Sequence, residues 1–408
     1  MLDTMSADEL RGALVEQVAS QHRALGLALS EEVERALRAV PRHLFTGDAD
    51  LEAAYKDTAI ITKRNERGVS LSSVSAPWLQ AMMLGQAELK PGDAVLEVGS
   101  GGYNAALIRE VVGPSGSVTT IDIDPDITSR AEQYLADAGY TDVEVICADA
   151  EFEVGPGRTF DKIIVTVGSW NMPPAWSSQL AEGGRLIVPL RTKGMTRSWA
   201  LERQGDALVS RSHLMCGFVP MQGTGAHGGT SISLLDDPKV GLWLDEGETL
   251  DAAALSGVLD LPRAQVWTGV TVAAGERFSD QDLWLAATLP GFFLITASQQ
   301  ALDDGVVALP WQYGTPAFVD GPNLAYRTKP RPVDDDGASF EFGVFAHGPQ
   351  AEQTERSLAD QIATWNQAGR PVPRLSVHPA GTSDADLPDG YVLNKRHSRL
   401  VTSWPTAR

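Results

Sequence analysis

Ala94-Val95-Leu96-Glu97-Val98-Gly99-Ser100-Gly101-Gly102-Tyr103 is the stretch that decides the fold of this 408-residue chain. A short apolar run ends in a glycine cluster and enters a helical pattern, which predicts strand, tight turn and helix in succession. The glycines permit the turn and let the backbone approach a ligand at the carboxyl edge of a sheet, where open α/β folds bind their ligands. Taken alone, the motif also fits a plain tight turn or the start of a dinucleotide-binding fold.

Reading onward, apolar strands are expected at 118–121, 143–147, 162–167 and 185–189, alternating with helices. One such helix carries Ile127, Ala131, Tyr134, Leu135 and Ala138 at helical spacing and closes on Gly139. This alternation predicts a doubly wound α/β domain with a parallel sheet. Reading backward, Ser6 to Glu9 forms a capping box before Leu10, Leu14 and Val18. Ser30 caps a second helix with Val33, Leu37 and Val40, and a third follows Ser75-Ala76-Pro77.

The rhythm stops at Gly223-Thr224-Gly225-Ala226-His227-Gly228-Gly229, which places a domain boundary there: 1–222 is one domain and 230–408 a second, of α+β class. In the second, strands are expected at 266–272, 292–297 and 340–345, helices at 251–259, 280–288 and 353–368, and a loop at 327–337. Alternation around 392–402 suits a half-exposed strand.

Composition narrows the function. A formal charge of −20 repels phosphate backbones, so nucleic acid is excluded as a partner. The apolar fraction is 43%, and no apolar run approaches the ~20 residues of a membrane helix. The first residues lack a basic, apolar leader, so a cytoplasmic location is expected. Cys147 and Cys216 show no metal-ligand spacing; they are expected to be buried free thiols, and no metal is expected.

Two carboxylates stand out. Asp122 ends the second strand about 20 residues after the glycines, where an acid can accept both ribose hydroxyls. Asp149 ends the third, where it can accept from an adenine amine. Glycine loop, Asp122 and Asp149 on successive strand ends together favour an adenosyl cofactor.

The run from Val40 to Met221 resembles the protein L-isoaspartyl O-methyltransferases. The motifs that carry this are Val40-Pro41-Arg42-His43-Leu44-Phe45, Tyr55-Lys56-Asp57, Ser73-Val74-Ser75-Ala76-Pro77, the glycine loop, Asp161-Lys162-Ile163-Ile164-Val165-Thr166, Glu182-Gly183-Gly184-Arg185-Leu186 and Phe218-Val219-Pro220-Met221. The resemblance implies a Rossmann-like class I methyltransferase fold that binds S-adenosylmethionine. It places Glu97, Gly99, Ser100, Gly101, Gly102, Asp122, Asp149 and Ala150 around the cofactor. Ser75 matches the active-site serine, and Asp57, Thr58, Val219, Pro220 and Met221 fall on the substrate side.

The chain departs from that family in three places. Its glycine loop is one residue shorter, Ala59 replaces a proline, and a basic stretch, Lys63-Arg64-Asn65-Glu66-Arg67, is inserted before the serine motif. In an anionic protein, Lys63 and Arg64 can attract an acidic peptide or its carboxylate, though a solvated loop explains them as well. The insertion, the long C-terminal half and the tail Asn394-Lys395-Arg396-His397-Ser398-Arg399-Leu400 resemble the branch of the family found with ribosomal peptides of the lanthipeptide type. That branch implies a modified, cyclised precursor peptide as partner, methylated on an aspartate that proceeds through aspartimide to isoaspartate. The alternatives are an isoaspartate repair enzyme, a small-molecule methyltransferase and a non-catalytic adenosyl-binding component of a peptide-modifying complex.

Overall fold

The computed structural model describes residues 5–99 and 101–404. The opening helices start where the capping chemistry predicts. Ser6 and Glu9 form the reciprocal box at the head of Ala7–Ala24, and the Ser30 hydroxyl accepts the Val33 N–H at the head of Glu31–Ala39. Their buried stripes, Leu14, Val15 and Val18 on one and Val33, Ala36 and Leu37 on the other, pack with the almost wholly buried helix Pro77–Ala87.

Among the described residues two large sheets form, of ten and eight strands, beside one two-stranded hairpin. The first sheet has a parallel half, in which Ala94–Val98 lies between Ser117–Asp122 and Phe160–Val165, with Glu144–Cys147 and Leu180–Thr192 outside them. An antiparallel wing continues through Met195–Gln204 and Ala207–Met215. Strand alternation decides which face each side chain serves. Val95, Ile164 and Ile187 join the N-terminal helices, while Leu96, Val98, Ile163, Val165, Leu186 and Val188 face the opposite core.

The division at 222/230 requires correction. Strand Arg374–Pro379 pairs with Ala207–Met215, and Ser398–Ser403 and Tyr391–Asn394 extend the same sheet, so the end of the chain completes the first sheet. Its apolar residues Leu375, Val377 and Leu400 lie in one continuous core with Leu186 and Leu190 of the first sheet and Phe342, Leu358 and Trp365 of the second half. The wing also curls back. Lys395, in the turn at its outer edge, donates to the carbonyl of Arg191 on Leu180–Thr192, which a flat sheet would hold roughly 20 Å away.

The second sheet is antiparallel and covers the core with one face: Phe292 and Leu294 point into it, while Phe293 and Ile295 point to a separate outer cluster. Helices Ser279–Thr288 and Ala351–Gln367 match the periodicity. The helix expected at 251–259 is instead two short 3-10 turns, Ala253–Leu255 and Val258–Asp260, interrupted by Gly257 at φ 70°. Both cysteines are free. Cys216 is partly buried, whereas Cys147 is exposed because its strand is the sheet's edge. Among the described residues no helix is long and apolar enough to cross a membrane.

Candidate active site

The glycine loop is shaped by what surrounds it. Gly99 has φ 100°, and a Cβ there would lie 2.6 Å from the Thr166 hydroxyl, which donates to the carbonyl of Gly99 at 2.8 Å. Gly102, at φ 85°, starts helix Tyr103–Val112 under the ring of Phe45, 3.1 Å from where its Cβ would be. A Cβ on Gly101 would meet nothing within 4 Å, so this residue leaves room over the helix N-terminus, where backbone N–H groups point outward. Ser100 lies outside the described residues.

Glu97 is 1% exposed. Its carboxylate accepts from Asn104 Nδ2 at 2.8 Å and from the Thr120 hydroxyl at 2.5 Å. Burial pushes its pKa up to about 7 against those two bonds. Glu97 therefore ties the first strand to the second and to the loop helix, beneath the loop.

Two hollows meet at Gly99. One is bordered by Ser73, Ser75, Gln80, Glu97 and Asn104. The other is bordered by Ile121, Asp122, Asp149, Ala150, Pro220 and Met221. Asp122 closes strand Ser117–Asp122, and its Oδ1 accepts the Asp124 N–H at 2.9 Å. In Asp149 each oxygen already accepts a backbone N–H, from Glu151 at 3.0 Å and Thr224 at 2.9 Å. Burial opposes its ionisation, but these donors hold the carboxyl below the ordinary range. Asp149 thus fastens the 223–225 turn to the cleft, a structural role that the sequence expectation of an adenine acceptor did not include. Ala150 borders the same hollow, and its carbonyl accepts the Trp176 indole N–H at 2.9 Å.

The residues present fit an adenosyl sulfonium. The strand-end carboxylate of Asp122 has the chemistry to accept from ribose hydroxyls, Ile121 and Met221 give the hollow apolar walls that suit a flat base, and Gly99 borders both hollows.

Ser75 stands between the hairpin and helix Pro77–Ala87. It is not the helix cap: Ala76 holds that position without a side-chain bond, and Asp57 Oδ1 accepts the Trp78 N–H at 2.9 Å from outside. The Ser75 side therefore belongs to the first hollow. Arg42, wholly buried, donates to the carbonyls of Ala54, Thr58 and Ser75 and so binds these segments together. In the sequence Arg42 stands out only as part of a motif; an arginine among Val40, Leu44 and Phe45 is the signal that marks an internal clamp.

Several substrate-side expectations change. Asp57 caps the helix carrying the Ser75 turn, and Thr58 exposes its side chain while Arg42 holds its carbonyl. The basic insertion is no loose loop: Ile60–Arg64 and Ser70–Val74 pair as a hairpin, turned at Gly68, with Asn65 Oδ1 accepting the N–H groups of Arg67 and Val69. Lys63 reaches Asp124 and Asp126 at 2.6 and 2.8 Å, and Arg64 bonds Gly68 and Ser70 within the hairpin. Both cations already have structural partners. Val219 to Met221 pairs with Gly168, which sets Pro220 and Met221 on the Asp122 hollow instead of beside Ser75. Near this segment Trp176 packs in the core, and the rings of Trp170 and His227 stack with centroids 4.0 Å apart.

The family described as Protein-L-isoaspartate(D-aspartate) O-methyltransferase (PCMT) matches residues 13–226. The protein-L-isoaspartate O-methyltransferase of Ignicoccus hospitalis is 36% identical over 198 residues, covering 48% of this chain and 91% of its own length. That of Methanopyrus kandleri is 33% identical over 211 residues, covering 51% and 91%. A solved protein-L-isoaspartate O-methyltransferase aligns with 90% of this chain and 96% of its own, at TM-score 0.50 and 19% identity, a likeness of fold that extends into the second half. The chain belongs to the protein-L-isoaspartate O-methyltransferase family, with its class I fold, and is an S-adenosylmethionine-dependent carboxyl O-methyltransferase.

Proposed function

We propose that this chain methylates the carboxyl group of an isoaspartyl residue in a peptide or protein. The observation that carries this reading is Ser75, released from helix capping by Asp57 and bordering the hollow that meets the adenosyl hollow at Gly99. The target carboxylate is ionised at neutral pH, so positioning supplies most of what the reaction requires. When bound, S-adenosylmethionine supplies a methyl carbon made electrophilic by its sulfonium, and the C–S bonding pair leaves with sulfur as a carboxylate oxygen forms the new bond. The Ser75 hydroxyl donates to the second carboxylate oxygen and aims the first. Arg42 and Asp57 hold the Ser75 segment, and Glu97 holds the loop beneath the reacting atoms.

A second reading is aspartate methylation in a cyclised ribosomal peptide of the lanthipeptide type. It is favoured by the hairpin, whose Leu71 borders the Asp122 hollow and whose Ser73 borders the Ser75 hollow. The C-terminal half does not discriminate, since a solved isoaspartate methyltransferase shares the fold across 90% of the chain.

One assay separates the readings: release of S-adenosylhomocysteine with an isoaspartyl peptide, its aspartyl twin and a cyclised aspartyl peptide. Turnover confined to the isoaspartyl peptide supports the first reading, and turnover confined to the cyclised aspartyl peptide replaces it with the second. Ser75→Ala is expected to bind S-adenosylhomocysteine like the parent and to lose about 10-fold or more in kcat, as removal of an orienting donor does. Equal turnover in variant and parent ends the serine's assigned role.

A further inference from the structure

The glycine-rich segment at the expected domain boundary folds against the Asp122 hollow. A Cβ at Gly223 would lie 2.4 Å from Ile123 and 2.6 Å from Asp149 Oδ2, and the adjacent Thr224 N–H donates to that same oxygen. Gly225 presses on Met221, where its Cβ would meet Cε at 2.8 Å, and on Glu151, at 3.0 Å from Oε2. Ile123, Asp149 and Met221 all border the hollow, so the turn Gly223–Gly225 backs one of its walls.

From its other side this turn is held by the far end of the chain. Arg396 Nη1 donates to the Thr224 carbonyl at 3.0 Å. His397 Nε2 lies 2.8 Å from Glu151 Oε1, and its backbone N–H donates to Asn171 Oδ1 at 3.2 Å. Lys395 is seated between them and the sheet, donating to the carbonyls of Trp170 and Arg191. Glu151 is 7% exposed, and its Oε2 has no hydrogen-bond partner among the described residues, so the bond from His397 to Oε1 is the one hydrogen bond of its carboxylate among them. A buried carboxylate with one partner depends on that partner for its place.

We propose that His397 and Arg396 are positioning residues of the S-adenosylmethionine site, acting through Glu151 and the Gly223–Gly225 turn. Cofactor binding and docking of the C-terminal hairpin are then coupled, each favouring the other. The influence falls on the adenosyl side of Gly99, away from Ser75, so it governs cofactor affinity more than methyl transfer. This rests on the adenosyl group occupying the Asp122 hollow.

The test measures S-adenosylhomocysteine affinity calorimetrically for the full chain and for Asp122→Ala, His397→Ala, His397→Gln and Arg396→Ala. His397→Ala is expected to bind about 5- to 10-fold more weakly and Arg396→Ala about 2- to 5-fold, the range for losing a charge-assisted or ordinary hydrogen bond. His397→Gln keeps an N–H for Glu151 and should recover most of the affinity, and in steady state the losses should appear in the cofactor KM and not in kcat. Added S-adenosylhomocysteine should also slow amide exchange in 391–403 of the parent protein.

If Asp122→Ala binds weakly while both histidine variants and Arg396→Ala match the parent, the positioning role is wrong and the cleft assignment stands. If Asp122→Ala also matches the parent, the cleft assignment itself fails. A His397→Gln as weak as His397→Ala shows a general structural role and overturns the proposal. Should His397→Ala not fold, Arg396→Ala and the exchange measurement decide, and unchanged exchange in 391–403 counts against the coupling.

Discussion

The two ends of the ten-stranded sheet are recruited in different ways. At the parallel end, Ala94–Val98, Ser117–Asp122 and Glu144–Cys147 follow one another in the chain, joined by helices, and each strand end brings a site residue: the glycine loop, Asp122 and Asp149. At the antiparallel end, Arg374–Pro379 and Ser398–Ser403 follow the whole second sheet in the chain, and they place Lys395, Arg396 and His397 against the back of the same cleft. The local end supplies residues that border the hollow. The distant end supplies hydrogen bonds to the turn and carboxylate behind it.

The strongest way to break this comparison is to remove the distant end. A chain ending at Pro373 loses Leu375, Val377, Leu400 and Val401, each under 5% exposed. At ~1.5–3 kcal/mol for each buried aliphatic side chain the loss is ~6–12 kcal/mol, comparable to the ~5–15 kcal/mol stability of a whole domain. The truncated protein should be insoluble or lack a cooperative thermal transition, and a chain ending near Gly223 should fare worse. A soluble truncation with the parent's melting curve would show that the parallel half is an independent unit.

A smaller effect sharpens the local end. In the folded protein Glu97 keeps its proton up to about 7, whereas the ordinary carboxyl releases it near 4.5. The folded state therefore favours the protonated form: its contribution is complete below 4.5 and is lost as pH rises to about 7. Glu97→Gln cannot ionise, so its melting temperature should gain on the parent's by roughly 1–4 °C between pH 5 and pH 8. A constant difference across that range would refute the buried, ionisation-averse site.

The smallest effect concerns the hairpin laid over the local end. Because Lys63 is partnered by Asp124 and Asp126 in a partly exposed setting, Lys63→Ala should cost about 1 kcal/mol or less. The ratio of rates on acidic and neutral peptides should stay as in the parent. A selective loss on acidic peptides would return Lys63 to substrate binding.

The sequence by itself determined the parts of this protein that rest on neighbours in the chain. The strand at Ala94–Val98, the capped helices after Ser6 and Ser30, the helix begun by Pro77 and the strand-end carboxylates all follow from period, capping and glycine chemistry acting over a few residues. Only the tertiary structure decided what depends on pairing across distance. It revealed that Asp57 caps a helix 21 residues on, that Lys63 already has carboxylate partners, that Pro220 and Met221 face the Asp122 hollow, and that the glycine-rich segment and the chain's end back that hollow. The physical reason is the same in each case. A hydrogen bond or a sheet register between remote segments is chosen by which buried groups find partners when the core closes, and neither periodicity nor composition encodes that choice locally.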